Sequence, residues 1–310
     1  MSEAKSKKTT KTKKEGSFSI TMENPKILKG IVETIAKIID EANFTINSKE
    51  FKLRCMDPSR ICLFDLIIKK ENFDEFKCTR ICEVGLNLDN FEKILKRSGS
   101  NDKIILEYQD SKRKLKIKMV REGEKTRTRT FSLSCIDLEV EEVPIDNLKK
   151  IEFPATFSVD PDFLIEALKD AEIYSEILYL KSIENVGLEF TSIGTIGEME
   201  YQLGLDEFIE ADLSETQTGG YSITFLKAIM KLSSITEQLE VSLKTDHPLK
   251  LLFKLLEGAE LEYYIAPRVD ENPEDDDFVE DDEFTDSMGT EDEIIEDELK
   301  QVENDDTEEE

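Results

Sequence analysis

The feature that most limits how this chain can fold is a change of hydrophobic period that occurs four times. Four stretches place apolar residues at helical spacing: residues 25–42, residues 89–99, and the segments that follow Asp160-Pro161 and Gly219-Gly220. Blocks that alternate apolar and polar residues separate these stretches, as antiparallel strands do. The order of helix and strands therefore occurs twice over. It predicts an α+β fold of two similar domains, each a duplicated unit of one helix and antiparallel strands, with the helices on one side of the sheets.

Charge is distributed unevenly along the chain. Residues 270–310 hold 23 Asp and Glu and a single Lys, and they show almost no helix or strand periodicity, which predicts a disordered acidic tail. Residues 1–16 hold six Lys and two Glu and predict a basic tail. The total of −29 thus leaves −11 for residues 17–269, after −22 for the acidic segment and +4 for the basic one. This excludes a protein that binds nucleic acid through its average charge, so any such contact needs a local cluster of cations.

Several classes of protein and site find no support in the sequence. No apolar run approaches the roughly 18 residues of a membrane span, and the N-terminus lacks the apolar stretch of a secretory signal, so we expect an intracellular protein. The five cysteines lie mostly in apolar runs and predict buried free thiols, and with His247 as the only histidine a zinc site is not expected. No phosphate loop, GxSxG, HExxH or paired CxxC motif occurs. We therefore predict that the protein is not an enzyme and needs no metal or cofactor.

The second helical stretch has a basic face. Residues 90–99, NFEKILKRSG, place their apolar side chains on one side of a helix. Three cations fill the opposite side: Lys93, Lys96 and Arg97. Asp89 is the expected N-cap, with Glu92 at the capping-box position and Gly99 as the stop signal.

The other helical stretches also carry lysine on their polar faces. If all four helices lie on one side of the sheets, these faces form a basic wall that attracts phosphates without reading base sequence. A duplex about 20 Å across needs helix axes on a circle of roughly 20 Å radius, and at about 10 Å per helix the circle takes on the order of 12 helices. Because one chain supplies four helices, three chains would close such a ring.

Four segments together resemble one family. They are CMDPSRICLFDL at 55–66, GLNLDNFEKILKRSG at 85–99, IDLEVEEVPI at 136–145 and LEYYIAPR at 261–268. The chain resembles proliferating-cell nuclear antigen, the DNA sliding clamp of archaea and eukaryotes, over about residues 17–268, and it is closest in character to the archaeal type. The resemblance implies a trimeric ring on double-stranded DNA, loaded by a separate ATP-driven clamp loader. It also implies that DNA polymerase, flap endonuclease and DNA ligase bind through short peptides beside the connector between the domains.

The resemblance also assigns individual positions. The positions expected to line the hole and face DNA are Lys29, Lys93, Lys96, Arg97, Lys169, Lys227 and Lys231. The expected pocket for partner peptides consists of Met56, Arg60, Leu63, Val143, Ile145, Pro248, Tyr264, Ala266 and Pro267. A flexible Met with Tyr and Pro beside an acidic connector also suits an adaptable apolar cleft. By position, subunit contacts would pair a strand near residues 126–133 with one near residues 198–204.

The expected organisation has five parts. They are a basic tail at 1–16, a first clamp domain at 17–134, an extended connector at 135–152, a second clamp domain at 153–269 and an acidic tail at 270–310. Two questions stay open at this point. One is whether the ring contains three identical chains or sister subunits. The other is whether the acidic tail instead marks an interaction scaffold, similar to a checkpoint clamp or a histone chaperone.

Overall fold

A computed structural model describes residues 15–139, 143 and 145–268, and in these ranges one order of elements occurs twice. The first half contains β1 (Ser17–Met22), α1 (Lys26–Ile35), β2 (Glu41–Ile46), β3 (Glu50–Met56), β4 (Cys62–Lys69), β5 (Glu75–Cys78), β6 (Cys82–Asn87), α2 (Leu88–Leu95), β7 (Lys103–Gln109), β8 (Lys114–Arg121) and β9 (Arg127–Ser134). A one-turn helix, α3 (Ile145–Leu148), lies between the halves. The second half contains β10 (Ala155–Val159), α4 (Pro161–Ala171), β11 (Ile177–Ile183), β12 (Gly187–Gly194), β13 (Gly197–Gly204), β14 (Glu210–Leu213), β15 (Gln217–Ser222), α5 (Ile223–Ile229), β16 (Thr236–Leu243), β17 (Leu249–Leu255) and β18 (Glu260–Ile265). This repeat confirms the predicted α+β fold of two similar halves.

The strands form three antiparallel sheets. A five-stranded sheet has the order β5-β1-β7-β8-β9, and a four-stranded sheet has the order β13-β12-β11-β15. The largest sheet has nine strands in the order β14-β10-β16-β17-β18-β4-β3-β2-β6. Its central junction pairs β18 of the second half with β4 of the first, so that Tyr264 lies opposite Leu63. The two halves therefore share one continuous sheet.

The four longer helices form one continuous layer against the sheets. α1 contacts α2 on one side and α5 on the other, and α5 contacts α4. Their apolar residues enter the core, where Phe91 of α2 meets Phe44 of β2 edge-on with 6.0 Å between ring centroids. A Cβ atom at Gly30 of α1 would lie 2.8 Å from Cδ1 of Ile235, so α1 closely approaches the turn after α5. The polar sides of the helices consequently share one surface.

The first helix is shorter than its periodicity predicts. α1 ends at Ile35, whereas the apolar spacing predicted a helix through residue 42. The N–H groups of Ile38 and Ile39 both donate to the carbonyl oxygen of Ile35 at 2.9 Å, so the chain tightens into a turn before β2 begins. Because the turn still buries Ile39, the helical spacing of apolar residues continues beyond the helix itself.

The predicted N-cap of α2 is wrong. Asn87, and not Asp89, caps the helix, because its Oδ1 accepts the N–H of Asn90 at 3.0 Å. Asn87 is also the last residue of β6, so the helix begins where the strand ends. Glu92 is consequently not part of a capping box and is buried on α2 instead.

The segment between the halves is extended only in its first part. The N–H of Ile136 donates to the carbonyl oxygen of Gly85 at 2.9 Å, which attaches this part to β6. A Cβ at residue 85 would lie 2.4 Å from the Ile136 carbonyl oxygen, so this approach requires glycine. The later part turns into α3, which corrects the prediction of a connector without helix.

The predicted acidic tail lies outside the described residues, as do residues 1–14 of the predicted basic tail. None of the helices in the described ranges combines the length and the apolar character that a bilayer-crossing helix needs.

Candidate nucleic-acid interface and partner cleft

The helical layer carries the seven cations that were predicted to face DNA. Lys29 is in α1, Lys93 in α2, Lys96 and Arg97 just after α2, Lys169 in α4, Lys227 in α5, and Lys231 in the 3-10 turn that follows α5. Lys29 is partly buried, and the other six side chains are exposed. Whether they contact DNA stays a prediction.

The three cations at α2 differ in whether a carboxylate of the same chain already pairs with them. The Nζ of Lys96 lies 2.8 Å from Oε1 of Glu92, whose side chain is only 7% exposed, and 3.8 Å from Oε1 of Glu33. The bond from Glu92 raises the pKa of Lys96. Lys93 and Arg97, by contrast, form no ion pair with any described residue. The basic face at α2 therefore rests mainly on these two side chains.

The helices of the second half are less basic than the sequence suggested. Lys227 forms an ion pair with Glu172 just after α4, whereas Lys169 and Lys231 have no ion-pair partner among the described residues. Lys169 shares the exposed side of α4 with three carboxylates: Asp162, Glu166 and Asp170. The positive charge of the layer is thus greatest at α2 and in the turn after α5.

Five of the nine predicted pocket residues come together in one apolar cluster. Met56 of β3 lies opposite Leu63 of β4, and Leu63 lies opposite Tyr264 of β18, so the three form a row across neighbouring strands. Val143 and Ile145 of the connector pack against this row. Leu63, Ile145 and Tyr264 are nearly inaccessible, at 3%, 1% and 2% exposure. The register of the shared sheet is therefore what assembles this cluster.

The other four predicted pocket residues lie outside the apolar cluster: Arg60, Pro248, Ala266 and Pro267. Arg60 is exposed, with a left-handed φ of 60°, in the turn between β3 and β4. Asp57 stabilises that turn, because its carboxylate accepts the N–H of Cys62 at 2.6 Å and the N–H of Ser59 at 3.0 Å. Ala266 follows β18 and donates its N–H to the carbonyl oxygen of Ile61 at 2.8 Å.

Sequence reasoning missed a charged network beside this cluster. The carboxylate of Asp65 on β4 accepts two hydrogen bonds from Arg54, both 3.1 Å, and one from Nζ of Lys149 at 2.9 Å. Burial raises the pKa of Asp65, but the bonds from Arg54 and Lys149 outweigh burial and lower it overall. A carboxylate within the apolar run CLFDLII was the available signal, because a buried charge needs a partner.

Glu262 on β18 extends this network. Its carboxylate lies 3.2 Å from Nζ of Lys149 and 3.4 Å from Nζ of Lys250, and it accepts the hydroxyl of Tyr264 at 3.3 Å. One connector lysine thus contacts carboxylates on two strands from different halves of the chain.

A groove of about 1560 Å³ lies beside the apolar cluster, between the connector and the strands of the first half. Met56 and Val143 line it together with mainly polar side chains, among them Arg54, Asn43 and Asp146. This groove therefore lies on the β2 and β3 side of the connector.

The cysteines are free thiols. Cys55, Cys62 and Cys82 are buried, and Cys78 and Cys135 are partly buried. Burial raises the pKa of Cys62 to about 12, which keeps this thiol protonated. In the part of the chain that the structure describes, no group of three or more His, Cys, Asp or Glu side chains is arranged to hold a metal ion.

This chain is similar to known proteins of one family. The model of the N-terminal domain of proliferating cell nuclear antigen matches residues 17–142, and the model of its C-terminal domain matches residues 167–268. The DNA polymerase sliding clamp of Thermofilum pendens is 33% identical over 245 residues, which cover 78% of this chain and 95% of that protein. The DNA polymerase sliding clamp of Thermococcus gammatolerans is 31% identical over 258 residues, 82% of this chain and 99% of that one. The crystal structure of PCNA from Thermococcus kodakaraensis has a TM-score of 0.74 and 23% identity, and the match covers 81% of this chain and 100% of the other. The chain belongs to the proliferating cell nuclear antigen family.

Proposed function

We propose that this chain is a DNA polymerase sliding clamp, a ring subunit that encircles duplex DNA inside the cell and holds replication and repair enzymes on it. The observation that carries the proposal is the continuous layer of four helices, on whose polar side Lys93, Arg97 and Lys231 have no ion-pair partner among the described residues. On a chain with a net charge of −29, such a local concentration of cations is what phosphate contacts need. Flexible cations on phosphates do not read bases, so the ring can slide.

Two sheet edges support ring formation. β9 ends the five-stranded sheet and β13 ends the four-stranded sheet, and each has a neighbour on one side only. Pairing β9 of one chain with β13 of the next is a head-to-tail contact, and such contacts form a ring where the rotation between neighbours closes. β9 carries the exposed Arg127, whereas Glu166 and Asp170 of α4 lie near Tyr201 of β13. Because the two edges carry opposite charge, they fit each other, which favours a ring of identical chains; the number three follows from the roughly 12 helices that the expected circle needs.

The apolar cluster and its connector are the proposed site for partner proteins. Short peptides of DNA polymerase, flap endonuclease and DNA ligase would bind there, and a separate ATP-driven clamp loader would open and close the ring. The pocket positions Met56, Leu63 and Tyr264, which lie in one row across three strands, support this assignment.

Retention on DNA of different topology tests the proposal. After loading with clamp loader and ATP, the protein should stay on nicked circular plasmid DNA and slide off the same plasmid once it is linearised. The triple change Lys93→Ala, Arg97→Ala and Lys231→Ala should leave folding nearly intact, because exposed substitutions shift stability by about 0.5 kcal/mol or less. It should nevertheless impair loading and processive synthesis.

The matched control changes three exposed lysines elsewhere on the molecule: Lys49→Ala, Lys69→Ala and Lys112→Ala. This variant should load and support synthesis as the wild type does. Equal retention on circular and linear DNA, or equal synthesis by the two triple variants, would contradict the proposal.

The 23 carboxylates of residues 270–310 favour a second candidate, an acidic interaction scaffold. Deleting these residues separates the two functions. If the protein is a clamp, the variant without these residues should still stimulate the polymerase. If it is a scaffold, the variant should lose the main activity.

A further inference from the structure

A groove of about 580 Å³ lies on the face of the five-stranded sheet that points away from the core, with Ser17 and Ser19 of β1 in its lining. The strand register places one row of side chains across this face: Lys77 of β5, Ser19 of β1, Glu107 of β7, Lys116 of β8 and Ser132 of β9. Because neighbouring strands lie about 4.8 Å apart, Lys77 and Lys116 stand roughly 14 Å apart on the two sides of the groove. Short serines between long lysines therefore form a channel that fits one extended chain.

The lysines on both sides of the groove keep most of their charge. Lys114 of β8 lies two residues before Lys116, on the same face of the strand, and forms no ion pair with a described residue. Lys77 lies 3.5 Å from Glu75, but the two side chains are 77% and 61% exposed, so this pair is weak. Lys77 and Lys114 can thus both bind an incoming anion.

Glu107 is the carboxylate that lines the groove, and it already has a partner. Nζ of Lys118 lies 2.5 Å from its Oε1, whereas Nζ of Lys116 lies 3.9 Å from its Oε2. Lys118 therefore balances most of the charge of Glu107 and leaves Lys116 for a ligand. The groove is consequently basic, on a chain whose net charge is −29.

The second half of the chain shows that the fold alone does not produce this basic groove. In the repeat, β10 takes the place of β1, and the edge strand beside it is β14 where the first half has β5. Ser158 of β10 lies opposite the exposed Glu210, whereas Ser19 lies opposite Lys77. The same arrangement of strands thus has the opposite charge at this position, so the basic groove is specific to the first half.

We propose that this groove binds an acidic segment of a partner protein, a run of consecutive Asp and Glu residues in an extended conformation. Successive side chains of an extended chain point to opposite sides. One carboxylate can therefore reach Lys77 while the next reaches Lys114 or Lys116. Single-stranded nucleic acid fits less well, because such sites stack bases on aromatic rings, and the rings that line this groove, Phe18 and Tyr108, are only 5% and 8% exposed.

Binding of a synthetic acidic peptide tests the proposal. The probe is a fluorescein-labelled hexapeptide of alternating Asp and Glu, and its anisotropy is measured with the full chain at low salt. Lys77→Glu with Lys114→Glu should weaken its binding at least about tenfold, because two attractive contacts become repulsive. The matched control, Lys49→Glu with Lys69→Glu, reverses two other exposed lysines of the first half and should bind the peptide as the wild type does. Since all four positions are exposed, both variants should fold normally.

A second variant, Ser19→Tyr, separates the shape of the groove from its charge. Tyrosine is favourable on a strand and would fill the groove without changing the charge, so it should also weaken peptide binding at least about tenfold. Equal affinity of the charge-reversed variant and its control would overturn the proposal. Undiminished binding by Ser19→Tyr would overturn it as well, because the peptide would then bind outside the groove.

Two further measurements test the choice of ligand. Deleting residues 270–310 should leave the peptide affinity unchanged; a rise of about tenfold that the charge reversal abolishes would instead assign the groove to these acidic residues of the same chain, since a tethered segment competes at high effective concentration. A labelled thymidine hexanucleotide should bind more weakly than the peptide, and equal or tighter binding would make the groove a nucleic-acid site. None of these measurements needs a clamp loader or circular DNA, so their failure would leave the clamp function standing.

Discussion

At Asp102, one buried carboxylate holds together the end of α2 and two strands. It accepts three hydrogen bonds: from Nε of Arg121 at 2.7 Å, from a terminal nitrogen of Arg129 at 2.5 Å and from the N–H of Gly99 at 2.8 Å. Burial raises the pKa of this carboxyl, but the bonds from Arg121 and Gly99, together with the charges of both arginines, outweigh burial and lower the pKa overall. The ionised form is therefore part of the folded structure at neutral pH.

We expect Asp102→Asn to lower the free energy of unfolding by about 1–2 kcal/mol at pH 7, a discounted value because both arginines are half-exposed. A carboxyl whose pKa is lowered by folding stabilises the protein above its ordinary pKa, and this contribution is lost as pH falls through the folded pKa. Urea denaturation should thus separate the variant from the wild type at pH 7 and not at about pH 2. Asp212→Asn, at an exposed carboxylate, is the control and should have no effect at either pH. A difference that persisted in acid would contradict the assigned ionic role.

Residue by residue, the sequence predicted apolar contacts better than ionic ones. Met56, Leu63 and Tyr264 were predicted for one pocket by family resemblance, and the structure places them in one row. The bond from Lys149 to Asp65 joins residues 84 positions apart. Periodicity tells which face a side chain occupies, but not which distant charge it meets, so this bond needed the sheet register to be known.

The helices differ in how much of their charge is available to a phosphate. α2 and the turn after it offer Lys93 and Arg97, which have no ion-pair partners among the described residues, whereas Lys169 of α4 stands among three carboxylates. We expect Lys93→Ala with Arg97→Ala to reduce the slope of log affinity against log salt for a duplex by about 1.8, as the loss of two phosphate contacts implies. Lys169→Ala should change this slope by less than about 0.45, which is half the slope of one phosphate contact. Fluorescence anisotropy across a salt series measures the slope for each variant. If Lys169→Ala changes the slope as much as the double change does, α4 contributes as much to DNA binding as the α2 region.

The existence of the four helices followed from the sequence, while their ends did not. Helical spacing of apolar residues marks burial, and burial continues through the turn at Ile38 and Ile39, which is not helical. Likewise Asn87 and Asp89 are both good capping residues, and only the end of β6 decides between them. The residue at which a helix begins or ends depends on the backbone conformation of its neighbours. The spacing of apolar residues carries no information about that conformation.

On the scale of the whole molecule, the shared nine-stranded sheet is what the sequence pattern could not predict. Period-two blocks indicate strands and a repeated order indicates two similar halves, but β4 and β18 pair across nearly 200 residues. The same pairing assembles the apolar cluster, since Leu63 and Tyr264 belong to different halves. Two of the edge strands of these three sheets, β9 and β13, are the places where we expect a second chain to add.

The charge of these two edges leads to a prediction about the ring. Glu166 and Asp170 lie near Tyr201 of β13, whose pKa is raised by burial and then by carboxylates that include these two. In a head-to-tail ring they would meet Arg127 of the neighbouring β9, which is exposed. Reversing both acids, Glu166→Lys and Asp170→Lys, should therefore place like charges together and weaken the trimer at least about tenfold, because like-charge contacts in an interface cost several kcal/mol.

Sedimentation velocity at micromolar concentration should show the reversed variant shifted from trimer toward monomer, while Glu237→Lys, at an exposed position on β16, stays like the wild type. Adding Arg127→Glu to the reversed variant should restore part of the trimer, because every interface of a head-to-tail ring receives one altered edge from each neighbour. Restoration would show that the two edges meet directly. If Arg127→Glu instead weakens the trimer further, Arg127 does not contact these two acids. If the Glu166→Lys, Asp170→Lys variant keeps the mass of the wild type, α4 is not part of the interface.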